Sequence, residues 1–130
     1  MALLREYKEI AYQWGIWKTE ESPEELLVLL PDPERYEQQL TLFSSPHRKL
    51  EWLSVRVLLY QLLGEEKTIE YAPSGKPHLA DSSYFISISH TRGYVAVILS
   101  PVSEVGIDIE QYGQRVHKVA HKYMRPDELI

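Results

Sequence analysis

Two acids alternate with two isoleucines in Gly106-Ile107-Asp108-Ile109-Glu110. On an extended strand alternate side chains share a face, so Ile107 and Ile109 turn one way, Asp108 and Glu110 the other. Two carboxylates about 7 Å apart on one side of a packed strand repel each other unless a cation lies between them. A hard divalent ion held by oxygen ligands, most simply Mg²⁺, resolves that repulsion. A strand with one wet face carries the same pair without a metal, and the spacing alone leaves that alternative open.

The basic residues raise a complementary question. Arg56 has Trp52, Leu53, Leu59 and Tyr60 as its helical neighbours at three and four residues, which sets it on a mostly apolar stripe. A guanidinium there needs an anionic partner or a path to water. Lys49 lies two turns earlier on nearly the same face with Arg48 beside it, and together they suit a phosphate at the start of a helix. An internal salt bridge of Arg56 with Glu51 or another acid, with the other basic residues solvated, is the alternative. Ser89-His90 closes a strand, and a histidine at a strand exit can donate to a phosphate oxygen. Gly75-Lys76-Pro77 is a turn that fixes one lysine. Either segment taken alone is equally an ordinary turn.

The elements that must position these residues are legible in outline. Glu9 to Trp17 reads as a strand. Ser22-Pro23-Glu24-Glu25 starts a helix, with a capping serine, a proline at the first helical position and a glutamate at the third. Asp32-Pro33 starts a second helix reaching about Phe43, and Ser45-Pro46 a third that ends before Gly64. Leu50, Leu53, Val57, Leu58 and Leu62 give that third helix a broad apolar face. Strands are predicted at Thr68 to Tyr71, Tyr84 to Ser89, Tyr94 to Leu99 and Val105 to Glu110. The four residues from His90 to Gly93 suggest a hairpin loop, and Arg115 to Met124 reads as a short helix. This order implies an α+β fold with a mostly antiparallel sheet packed against a long helix, in a single domain over residues 1–130.

Taken in order, four segments resemble the Sfp-type 4′-phosphopantetheinyl transferases of the holo-acyl-carrier-protein synthase superfamily. They are Arg48 to Arg56, Gly75-Lys76-Pro77, Ile86-Ser87-Ile88-Ser89-His90 and Val105 to Glu110. The resemblance implies a Mg²⁺-dependent transfer of the phosphopantetheine arm of coenzyme A to a serine of an apo carrier protein, acyl or peptidyl, with release of 3′,5′-ADP. It assigns the metal to Asp108 and Glu110, and the phosphates to His90 with Ser89. Lys76 and Pro77 would lie along the nucleotide, and Arg48 with Arg56 would meet the 3′-phosphate, which a guanidinium fork suits.

Enzymes of this type have two similar halves, and the second carries a Trp-x-x-Lys-Glu-type helix with a third metal-binding glutamate and a lysine assisting catalysis. The chain ends at Ile130 without that helix. It is therefore expected to be the N-terminal half of a pseudo-twofold fold, inactive alone, with residues 111–130 beginning the connection to the other half. An exposed half-interface would drive self-association.

Composition narrows the alternatives. The 130 residues are 44% hydrophobic and 25% charged, the balance of a globular protein. No cysteine is present, which excludes disulfides and thiolate metal sites and makes the cytoplasm the expected compartment. A net charge of −5 argues against nucleic-acid binding, and no apolar run approaches the ~18 residues of a membrane span. Short carrier-protein synthases place their Gly-Ile-Asp motif near the N-terminus, unlike Gly106 here. A metal-dependent phosphodiesterase using Asp108 and Glu110, or a non-catalytic nucleotide- or partner-binding module, are the other readings.

Overall fold

The computed structural model describes residues 3–8, 12–112 and 115–122, with side chains throughout except at Leu4, Arg5 and 110–122. Its elements run β1 (Leu3–Lys8), β2 (Gln13–Lys18), α1 (Pro23–Val28), α2 (Glu34–Leu40), α3 (Pro46–Leu63), β3 (Ile69–Tyr71), β4 (Pro77–Leu79), β5 (Phe85–Thr91), β6 (Tyr94–Ser100), β7 (Val105–Tyr112) and β8 (Arg115–Lys122). The fold mixes helix with antiparallel sheet: β1, β2, β6 and β5 form one sheet in that order, while β3–β4 and β7–β8 form two hairpins.

Local chemistry sets the helix ends. Ser22 Oγ accepts from the Glu25 amide and Glu25 Oε1 accepts from the Ser22 amide, each at 3.2 Å, a reciprocal cap for α1. Ser45 Oγ accepts from the Arg48 amide at 3.4 Å, and Pro46 occupies the first position of α3. At its far end Gly64 takes the left-handed conformation, φ 72°, and its amide donates to the Tyr60 carbonyl. A Cβ on Gly64 would meet nothing within 4 Å, so Gly64→Ala tests the backbone term alone. We expect a loss of about 1 kcal/mol, read from the urea midpoint.

The centre of the main sheet, β2 and β6, is buried on both faces. Leu53, Val57, Leu58 and Leu62 of α3 pack with Trp17, Val95, Val97 and Leu99 on one side. On the other, Trp14, Ile16, Ala96 and Ile98 meet Val105, Ile107 and Ile109 of β7. Each such side chain removed from water contributes about 1.5–3 kcal/mol. The two-sided burial explains why β6 reads as a continuous apolar run rather than an alternation. The β7–β8 hairpin is held to β5 by side chains: Ser87 Oγ accepts from the Ile107 amide at 3.4 Å and Ser89 Oγ from the Ile109 amide at 3.2 Å.

Several expectations need correction. Residues 115–122 form strand β8, antiparallel to β7, where a helix was predicted through Met124, whose last residues lie outside the described ones. Val116, Val119 and Ala120 are spaced as on a helix, but pairing with the open edge of β7 outweighs that local pattern. The β5–β6 ladder continues through His90↔Val95 and Thr91↔Tyr94, leaving a two-residue turn, Arg92-Gly93, where four were expected; Gly93 supplies the positive φ of 81°. The first predicted strand, Glu9 to Trp17, corresponds to β2 at Gln13–Lys18, its residues 9–11 lying outside the described ones, and β1 before it was missed. Charges on β1 at Glu6 and Lys8 concealed it, and an edge strand tolerates them.

Candidate functional site

Five residues of α3, namely Arg48, Glu51, Trp52, Val55 and Arg56, recur at helical spacing and line one side of a half-open pocket of about 470 Å³. Opposite them stand Ile88 and His90 of β5, Val95 of β6, and the β3–β4 hairpin with Tyr71, Gly75 and Pro77. The hairpin is closed by the Gly75 amide donating to the Ala72 carbonyl at 2.7 Å and the Ala72 amide donating to Lys76 O at 2.9 Å. Gly75, at φ 90°, makes that turn possible. His90 faces the pocket because it shares the period-2 face of Ile86 and Ile88, which pack in the core on the α3 side of the sheet.

Arg56 is 7% exposed. Its guanidinium lies over the Trp52 ring, 4.0 Å from the centroid, and donates to Trp52 O at 3.2 Å and Tyr71 Oη at 3.3 Å. Burial pulls its pKa below the ordinary arginine value, with the Tyr71 hydroxyl acting in the opposite direction. Among the described residues no carboxylate pairs with it, so the alternative of an internal ion pair is not seen there. A guanidinium has five N–H donors, and neutral oxygens and a ring leave its charge uncompensated. Such a group has the chemistry to receive an anion. Arg48 is exposed at the pocket edge, while Lys49 does not line the pocket. Glu51 Oε2 lies 3.1 Å from His90 Nδ1 and 3.4 Å from His47 Nε2.

The other predicted site residues lie apart. Ser89 faces away from His90 and holds the Ile109 amide. Lys76 pairs with Glu104 at 3.5 Å and lines a second cavity of about 350 Å³; Pro77 separates the two pockets and lines both. Asp108 is exposed on β7 between the buried Ile107 and Ile109, as alternation requires, and the Glu110 side chain lies outside the described residues. Among the described residues no group of three or more His, Cys, Asp or Glu is placed to hold a metal, and no helix is long and apolar enough to cross a membrane. Sequence reasoning missed Phe43 and Tyr71 in the pocket. Their only advance signal was proximity in the chain to Ser45-Pro46 and to the Gly75-Lys76-Pro77 turn.

No family model matches the chain. Over 64 residues it is 38% identical to the 4′-phosphopantetheinyl transferases AcpT of Salmonella typhi, Salmonella typhimurium and Escherichia coli K12. The match covers 48% of this chain and 33% of each relative, so it spans about a third of the length of these curated proteins. Over that segment, the chain is similar to enzymes of phosphopantetheinyl transfer.

Proposed function

We propose that this chain is the coenzyme A-binding N-terminal half of an Sfp-type 4′-phosphopantetheinyl transferase, one half of a pseudo-twofold fold, acting on an acyl or peptidyl carrier protein. The observation that carries the reading is the pocket itself. Arg48, Arg56, Pro77 and His90, all expected along the nucleotide of coenzyme A, converge on one basin between α3, β5 and the β3–β4 hairpin. A buried guanidinium without a carboxylate, an exposed guanidinium and an imidazole suit a phosphate, and the Trp52 and Tyr71 rings offer flat apolar surface.

Hard oxygen donors on β7 fit Mg²⁺. Asp108 is solvent-facing, and Glu110 is the next residue but one on the same strand. These two would hold the ion, which when bound would neutralise pyrophosphate charge. The chain's own residues do the rest: Arg56 and Arg48 bind phosphate, and His90 presents an imidazole N–H to it. The incoming carrier serine hydroxyl attacks the β-phosphate and 3′,5′-ADP departs, so the contribution of this half is positioning and charge neutralisation.

Calorimetric titration with coenzyme A, with and without Mg²⁺, tests the reading: binding that the metal strengthens is expected. Arg48→Ala should weaken coenzyme A more than dephospho-coenzyme A by about 1.5–3 kcal/mol, the worth of a charged hydrogen bond. Equal losses for both ligands would remove Arg48 from the 3′-phosphate. Binding without any metal effect would favour a non-catalytic nucleotide module.

A further inference from the structure

One carboxylate lines a pocket otherwise furnished with two arginines and a histidine. The Glu51 side chain is only 15% exposed, so its charge would repel any phosphate entering there. That placement makes sense if the carboxylate acts on a cation already in the pocket. Its Oε2 lies 3.1 Å from Nδ1 of His90, whose own side chain is 64% exposed. Among the described residues no other ion pair or side-chain hydrogen bond holds that ring.

We propose that Glu51 is the positioning residue of the pocket, holding His90 through Nδ1 and aiming Nε2 at the bound phosphate. The role rests on the reading of the pocket as a nucleotide-phosphate site. A neutral imidazole carries one proton, and a carboxylate at Nδ1 keeps the proton there. Nε2 then faces the pocket with its lone pair. Doubly protonated, the ring can donate to two anions at once, Glu51 at one nitrogen and phosphate at the other. This is the logic by which carboxylates orient histidines elsewhere, and such contacts commonly tighten only when ligand binds. His47 Nε2, at 3.4 Å and four residues earlier on α3, is the competing partner for Glu51; its side chain is 58% exposed and it does not line the pocket.

Long-range ¹H–¹⁵N spectra of the labelled 130-residue chain, at a pH where the rings are neutral, read the ring proton directly. The His90 signals are identified by their loss in His90→Asn. The proton is expected on Nδ1 in the unmodified chain and in Glu51→Gln, whose amide oxygen still accepts, and to leave Nδ1 in Glu51→Ala. Titration with 3′,5′-ADP should be about tenfold weaker for Glu51→Ala, as for one charged hydrogen bond lost, with Glu51→Gln recovering most of it. His47→Ala should move neither readout. A His90 ring that is the same with and without Glu51, or 3′,5′-ADP binding that tightens in Glu51→Ala, would overturn the role. Failure of 3′,5′-ADP to bind the unmodified chain would instead overturn the nucleotide reading, while the ring-proton measurement decides the Glu51–His90 contact by itself.

Discussion

Asp108→Ala is expected to leave coenzyme A binding indifferent to Mg²⁺, while the unmodified chain binds more tightly with the metal present. β7 buries Ile107 and Ile109 against the sheet and turns Asp108 to solvent, so the carboxylate is set on a rigid, packed element. Losing even an outer partner of a metal site commonly costs 10–100-fold in metal affinity, so losing a direct ligand should cost about 100-fold or more. Asp108→Asn keeps the shape and removes the charge, and should behave like the alanine variant if charge is what matters. An undiminished Mg²⁺ effect in both would remove Asp108 from the metal.

Arg56→Met is expected to stabilise the ligand-free chain and to weaken its hold on phosphate. Arg56 is a 7%-exposed cation offset by a backbone carbonyl, a tyrosine hydroxyl and an indole face, with no carboxylate beside it among the described residues. Desolvating a charge costs several kcal/mol, and replacing buried ionic groups by apolar ones of similar size often stabilises by 1–4 kcal/mol. Methionine keeps most of the packing on Trp52 and relieves the uncompensated charge. We expect a gain of about 1–3 kcal/mol in urea unfolding at neutral pH. Coenzyme A affinity should fall at least tenfold, the loss of one or more charge-assisted hydrogen bonds. A variant that is less stable and binds normally would make Arg56 a structural residue.

The parts of the fold readable in advance are those with chemistry of their own. Ser45-Pro46 and Gly64 bracket α3 because a cap, a fixed φ and a left-handed terminus act within a few residues. The short helix after Ser22 is marked in the same way. What escaped reading depends on partners far along the chain. β8 is a strand because β7 offers it an edge, against a helical spacing of its own valines. The site divides along the same line. The stripe from Arg48 to Arg56 is a helix-period pattern already present in the sequence, whereas Tyr71 joins it only through the β3–β4 hairpin. Period-2 alternation alone separates Ser89 from His90, although the run Ser87-Ile88-Ser89-His90 presents them as neighbours in one motif.

That separation makes β5 intolerant of certain length changes. Ile86, Ile88 and His90 serve the α3 side, while Ser87 and Ser89 hook the amides of Ile107 and Ile109 on the other. An insertion of one residue before Ile86 would send every one of these side chains to the wrong side. The hydroxyls would enter the apolar layer beneath α3, and the isoleucines would confront β7 with nothing to offer its amides. An insertion of two residues would preserve the assignment of sides and shift only the reach of the strand. Natural variation in the spacing between the Gly75-Lys76-Pro77 turn and His90 should therefore accumulate in the loop around Asp81 to Ser83, ahead of the ladder, rather than within it.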